Sequence, residues 1–239
     1  MKRRALLIGN SRGLAGVKRD IANMRQFLMG RYGGAWCNGE IETMMNPSLS
    51  DLKSKLKVIK AEQNDFVIVL FSGHGGYERT TVLEINGQNE IIDDTELIGL
   101  APRQISIFDC CRVVCSYQEE REMLMERKLF SITDSVDTIR QRYDSRIMQA
   151  IPQQDRLYAC KIGQCAHDHQ DGSGAYYLNN LLKHARSISG AYGLVGDVHE
   201  DAAEDTKTEV LIKENAIQEP VCSLPKCLSS QQLIISIHP

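Results

Sequence analysis

The stretch Asp65-Phe66-Val67-Ile68-Val69-Leu70-Phe71 constrains this chain more than any other. It is a continuous β-branched and aromatic run without polar alternation, so as a strand it needs cover on both faces. Strands of that kind belong to parallel sheets enclosed by helices. Residues 4–8 and 104–108 have the same character, and residues 40–45 form a weaker extended stretch. Between them, Val17, Ile21, Met24, Phe27 and Leu28 recur at helical spacing, and so do Leu52, Leu56 and Ile59. The second of these runs follows Ser48 and Asp51, either of which can cap a helix. Strands alternating with helices predict an α/β fold around a largely parallel sheet.

Further along, residues 82–85 and 90–92 flank Asn86-Gly87 and read as a hairpin, after which Asp93-Asp94 opens a short helix to Leu100. A fifth strand is expected at 156–160, a helix at 173–185 and a last strand at 232–237. The segment 113–154 is long and charged, and reads as an insertion of one or two surface helices within a single domain spanning 1–239. With 239 residues, 42% hydrophobic and 25% charged, the chain suits one compact domain.

Its net charge of −3, from 28 basic and 31 acidic residues, provides no attraction for polyanions, so neither nucleic acid nor a membrane is an expected partner. No apolar run approaches a membrane span, and the run after Met1-Lys2-Arg3-Arg4 is too short for a signal-peptide core. A cytoplasmic protein with reduced thiols is expected, and there a prominent cysteine is catalytic or metal-binding more often than bridged. The eight cysteines are grouped as Cys110, Cys111 and Cys115, then Cys160 and Cys165, then Cys222 and Cys227, with Cys37 apart.

His74, within Ser72-Gly73-His74-Gly75-Gly76, and Cys111, within Asp109-Cys110-Cys111-Arg112, each stand just beyond an apolar strand. In open α/β sheets such positions gather at the carboxyl edge of the strands, so the two side chains are expected to converge. A cysteine thiolate is a strong nucleophile, and an imidazole beside it can help form it and then protonate a leaving amine. The glycines around His74 allow close backbone approach, so a free N–H there can stabilise an oxyanion. Alone, either residue reads as a turn histidine or a buried thiol. Together they point to nucleophilic catalysis, with Cys110 as the rival sulfur.

The motifs Phe71-Ser72-Gly73-His74-Gly75 and Phe108-Asp109-Cys110-Cys111-Arg112 resemble the histidine and cysteine motifs of the caspase-like cysteine peptidases, including metacaspases and paracaspases (peptidase C14). Ala5-Leu6-Leu7-Ile8-Gly9-Asn10, Asp20-Ile21-Ala22-Asn23-Met24 and Tyr158-Ala159-Cys160-Lys161 extend the resemblance over most of the chain. It implies an αβα sandwich with a mostly parallel six-stranded sheet. It also implies an endopeptidase in which Cys111 attacks the scissile carbonyl, His74 is the acid/base, and the N–H groups of Gly75 and Cys111 form the oxyanion hole.

Caspases proper read Asp before the cut bond, using a basic residue in the first loop and a Gln two positions before the nucleophile. Here Asp109 holds the latter position and Leu14 stands near the former, while Asp20 matches the acidic residue of members that cut after Arg or Lys. Paired carboxylates favour a guanidinium between them, so Asp20, Asp109 and Ser72 are expected to line a pocket for a basic side chain of a protein or peptide substrate. Arg12 is the candidate for the opposite, acidic preference. The resemblance further suggests self-processing within 113–154, at residues such as Arg121, Arg127, Lys128, Arg140, Arg142 or Arg146, and regulated proteolysis in a stress, death or defence pathway.

One departure is that Val113-Val114 follow Arg112 where relatives carry glycine or a small residue, which keeps open a catalytically silent binding module. No cofactor is required by any motif, and a metal site is not expected. Cys160, Cys165, His167 and His169 have irregular zinc-ligand spacing and read as structural. Asp197, Glu200, Asp201, Glu204 and Asp205 read as an exposed helix face, although the resemblance admits activation by Ca2+.

Overall fold

The computed structural model describes residues 1–114 and 136–239. A central sheet of six strands comprises β1 (Arg3–Gly9), β2 (Ile41–Met45), β3 (Phe66–Ser72), β7 (Arg103–Asp109), β8 (Gln153–Tyr158) and β10 (Val221–Ser223). Their order is β10-β8-β7-β3-β1-β2, and only β10 runs antiparallel to its neighbour. A smaller antiparallel sheet joins β4 (Gly75–Tyr77), β5 (Thr81–Glu84) and β6 (Ile91–Asp93), and β9 (Tyr192–Leu194) pairs with β11 (Ile234–Ile237). The helices are α1 (Gly16–Met29), α2 (Leu49–Ala61), α3 (Val136–Gln149), α4 (Tyr176–Arg186) and α5 (Val195–Glu214). Among the described residues, no helix is long and apolar enough to cross a membrane.

The central strands are apolar on both faces because each face meets its own layer. Ala5, Leu7, Phe66, Ile68, Leu70, Ile105 and Ile107 pack with α1, α3, α4, α5 and β11. Leu6, Ile8, Val67, Val69, Phe71 and Phe108 alternate with them and pack with α2 and the β5–β6 region. This period-two division is the αβα sandwich implied by the motifs. Ser48 caps α2, its Oγ accepting from Asp51 N at 3.1 Å.

Several elements differ from expectation. Residues 232–237 yield β11, yet it pairs with β9, and the sixth central strand is β10. The fifth strand begins at Gln153, three residues early, because Gln153 and Asp155 are buried polar residues that interrupt the apolar signal. The hairpin loop spans 85–90 rather than two residues. Ile85 is buried, and Asn86 accepts from Gln88 N at 2.9 Å while donating to the Pro47 carbonyl at 2.8 Å. The short helix after Asp93 is a single 3-10 turn, Asp94–Leu97.

Within the segment read as an insertion, residues 136–149 form α3, whose Ile139, Tyr143 and Ile147 are buried in the main core. Those three stand at i, i+4 and i+8, an apolar stripe that the surrounding charge obscures. Residues 115–135, with Cys115, Arg121, Arg127 and Lys128, lie outside the described residues.

Candidate active site

Parallel pairing of β3 with β7 sets Ser72 opposite Asp109. His74 and Cys111 each stand two residues beyond that pair, so adjacent strands deliver both to one edge of the sheet. Backbone bonds stitch the two loops together, from Gly73 N to the Asp109 carbonyl at 3.1 Å and from Tyr77 N to the Val113 carbonyl at 2.9 Å. A Cβ on Gly75 would lie 2.8 Å from Cys110 Sγ and 3.0 Å from the Cys111 carbonyl, so only glycine permits this approach.

The pleat separates the two adjacent cysteines. Asp109 follows Ile107 on the face toward α1 and α4, whereas Cys110 follows Phe108 into the other core, where it is 2% exposed and burial pushes its thiol up. Cys111 is only partly buried, and its Sγ lies 3.6 Å from the Ala166 carbonyl. Its thiol neighbours that of Cys165, which is exposed. The two thiols act oppositely on each other: Cys111 lowers the Cys165 thiol to about 6, while Cys111 is pushed up, first by Cys165 and then by burial. His74 Nε2 donates to the Arg12 carbonyl at 2.6 Å, which in the neutral ring leaves Nδ1 as the basic nitrogen.

Below this edge lies a cluster of acids. Asp20 on α1 is fully buried, accepting from Ser72 Oγ at 2.7 Å and from Ala175 N at 2.9 Å. Asp109 accepts from Leu178 N, in the first turn of α4, at 3.0 Å. Asp168, in the loop after β8, lies against Gly16 at the start of α1 and is partly exposed. Burial, then mutual repulsion, raises Asp20 well above the ordinary carboxylate range and Asp109 to about 8. Asp168 is raised by burial, against the opposing pull of His74 and the Gly16 N–H. Glycines make the room: a Cβ on Gly174, at φ +111°, would meet Asp20 Oδ1 at 2.2 Å, and one on Gly16 would meet Asp168 Oδ2 at 2.4 Å.

The caspase-domain family profile matches residues 2–224. The chain belongs to the caspase-domain family, which consists of cysteine peptidases. Among solved structures it is similar to caspase-1 from Spodoptera frugiperda, with a TM-score of 0.59 and 11% identity over 93% of this chain and 86% of that one, a likeness of fold. A search of curated proteins returned no match.

Within this caspase domain, all six residues singled out from sequence, Asp20, Ser72, His74, Gly75, Asp109 and Cys111, lie along or just under the carboxyl edge of β3 and β7. Arg12 reaches the same edge through its carbonyl, while its guanidinium turns to Asn89 Oδ1 at 2.8 Å and Glu84 Oε1 at 3.4 Å. Beside it opens a polar cleft of about 570 Å3 lined by Ser11, Arg12, Asn46, Ser48 and Asn86. Arg112 is buried beneath the Cys111 loop: its Nε donates to Thr81 Oγ1 at 3.0 Å, its Nη1 donates to the Cys160 carbonyl at 3.2 Å, and its guanidinium lies 4.1 Å from the Tyr158 ring.

Sequence reasoning missed Asp168 and Cys165. Both fall in the Cys-Ala-His-Asp-His stretch, whose only sequence signal is an irregular zinc-ligand spacing. The zinc-ligand candidates diverge: Cys160 Sγ lies within hydrogen-bonding distance of the Cys110 and Gln164 carbonyls, Cys165 neighbours Cys111, and the His169 ring lies against Tyr176. On α5, Asp205 accepts from Lys183 Nζ at 2.7 Å and pairs with His184 Nε2 at 2.8 Å. Among the described residues, no group of three or more His, Cys, Asp or Glu is placed to hold a metal ion.

Proposed function

We propose that this caspase domain is an endopeptidase that cuts proteins after Arg or Lys. Cys111 attacks the scissile carbonyl, and His74, through Nδ1, takes the thiol proton and returns it to the leaving amine. The N–H groups of Gly75 and Cys111 face the developing oxyanion. The observation that carries the specificity is the acid cluster of Asp20, Asp109 and Asp168 beside the His–Cys edge. Asp109 is raised by its own burial and by Asp168, against the opposing pull of the Leu178 N–H. An incoming guanidinium or ammonium relieves that repulsion, with Asp168 at the mouth and Asp109 and Asp20 at the floor, whereas an aspartate side chain adds to it. Arg12 is a poor reader of an acidic substrate because its guanidinium is directed to Glu84 and Asn89.

Against a silent binding module stands the course of the chain after Arg112. The Val113 carbonyl is tied to Tyr77 and the side chains of Val113 and Val114 are 40% and 65% exposed, which supports a loop shape that these valines do not obstruct. Self-cleavage within 113–154 is part of the same proposal, and the free thiols of the described cysteines suit a reducing, cytoplasmic setting.

The test uses the full chain on short peptides ending in Arg, Lys or Asp before a reporter, with and without Ca2+. Release after Arg or Lys is expected, lost in Cys111→Ala and retained in Cys110→Ala. Release only after Asp overturns the pocket argument, and no release under any condition favours the binding module.

A further inference from the structure

A second thiol stands at the proposed nucleophile, and the backbone fixes it there. Arg112 N donates to the Gln164 carbonyl at 2.9 Å, Gly163 N donates to the Arg112 carbonyl at 2.8 Å, and Cys111 Sγ lies 3.6 Å from the Ala166 carbonyl. The contacts of residues 164 and 166 therefore bracket Cys165 and hold it against Cys111. Cys165 is exposed and Cys111 partly so, whereas Cys110 and Cys160 are buried beyond the reach of a solute. An accessible thiol of lowered proton affinity beside a second thiol is the arrangement that oxidises to a disulfide through a sulfenic acid.

We infer that Cys165 is an oxidation site for hydroperoxides, and that it closes a reversible disulfide onto Cys111 that silences the peptidase; the silencing rests on Cys111 being the nucleophile. In the first step the Cys165 thiolate attacks one peroxide oxygen. The O–O bond breaks, the departing oxygen takes a proton and leaves as water, or as an alcohol from an organic peroxide, and Cys165 becomes a sulfenic acid. Cys111 then attacks that sulfur. The S–S bond forms, the S–O bond breaks, and the hydroxide leaves as water with the proton given up by Cys111. Two thiols lose two electrons in total and the peroxide gains them. The disulfide occupies the sulfur that attacks substrate and protects it from irreversible oxidation to sulfinic acid. A dithiol reductant restores both thiols.

The experiment treats the purified full chain with hydrogen peroxide, blocks remaining thiols, and maps peptides by mass. Activity on an Arg-ending reporter is followed before oxidation, after it, and after dithiothreitol. A Cys111–Cys165 cross-link is expected, together with loss of activity that dithiothreitol reverses. Cys165→Ser is expected to lose activity to peroxide without recovery, its Cys111 passing to the sulfinic acid. Absence of the cross-link at every peroxide dose overturns the proposal, as does equal recovery of wild type and Cys165→Ser. A cross-linked protein that still cleaves upholds the oxidation site but overturns Cys111 as nucleophile. A chain that cross-links but never cleaved overturns the peptidase reading alone.

Discussion

At the scale of single residues, strand parity sorts the chemistry. Ser72 and Asp109 fall on the face shared with α1 and α4, so they meet Asp20 there, and Cys110 is turned the opposite way. The sequence selected Cys111 over Cys110 only through the family resemblance, and the pleat supplies the physical reason by turning Cys110 into the other core. The titration of the acid cluster yields a prediction with a definite sign. Asp109 is raised to about 8 in the free protein, and an amidinium binds its ionised form. A benzamidine-type competitive inhibitor, which makes no bond to sulfur, should therefore bind more tightly as pH rises toward 8, by up to about tenfold per pH unit for each proton released. Asp109→Asn should flatten that profile. Inhibition constants measured from pH 6 to 9 check this, and a wild-type profile that is flat or falls with pH contradicts the pocket. By the same linkage, a group raised on folding contributes stability below its unfolded value, which is lost as pH climbs through its folded one. The inhibitor-free protein should thus lose stability progressively from about pH 4, where the unfolded carboxyl ionises, to about pH 8, where Asp109 ionises in the fold and the loss levels off, and a bound amidinium should offset it.

At the scale of elements, charge misleads about α3. Its Arg140, Arg142 and Arg146 suggest a solvated surface, yet Arg140 pairs with Glu40, Arg146 is buried with its Nη2 donating to the Ser229 carbonyl at 3.0 Å, and Tyr143 lies in the core against Gly34. Arg3, nearly fully buried, completes the anchor by reaching Asp144 at 2.7 Å and lying 4.5 Å from the Trp36 ring. Tyr143→Ala should cost about 3–5 kcal/mol of unfolding free energy as a large core truncation. Arg142→Ala, at an exposed position of the same helix, should stay within about 0.5 kcal/mol of wild type. Urea denaturation of both variants measures the contrast, and equal losses would mean that α3 is an appendage. Arg112 does for the Cys111 loop what Arg3 does for α3. Arg112→Met keeps the apolar stem but strands Thr81 Oγ1 and the Cys160 carbonyl, so it should cost about 2–3 kcal/mol by the same measurement.

At the scale of the whole molecule, the packing of α3 bears on self-processing. The basic positions within 113–154 fall into two groups: Arg140, Arg142 and Arg146 on a packed helix, and Arg121, Arg127 and Lys128 outside the described residues. A peptidase needs an extended substrate, and unwinding α3 would open the core, so the second group is where cleavage is expected. The parallel pairing of β7 with β8 and the burial of α3 would hold the two products together. Active protein should therefore separate into two chains on a denaturing gel, elute as one particle on gel filtration, and remain one chain as Cys111→Ala. An active wild type that stays intact would contradict self-processing without touching the peptidase reading.

The sequence by itself determined the layered α/β architecture, because runs such as 65–71 have no arrangement other than burial on both faces. It also determined the His74–Cys111 edge, because both residues end such runs and parallel strands align their ends. It carried Asp20 and Asp109 only by way of the family resemblance. Tertiary structure alone decided what else meets them. Asp168 and Cys165 come from a loop after β8, which has no periodicity to place it, and β10 and α3 take their positions from packing that polar residues conceal. Cys111 and Cys165 are more than fifty positions apart in the chain. Nothing in their spacing brings them together, and the backbone bonds between residues 111–112 and 163–166 do.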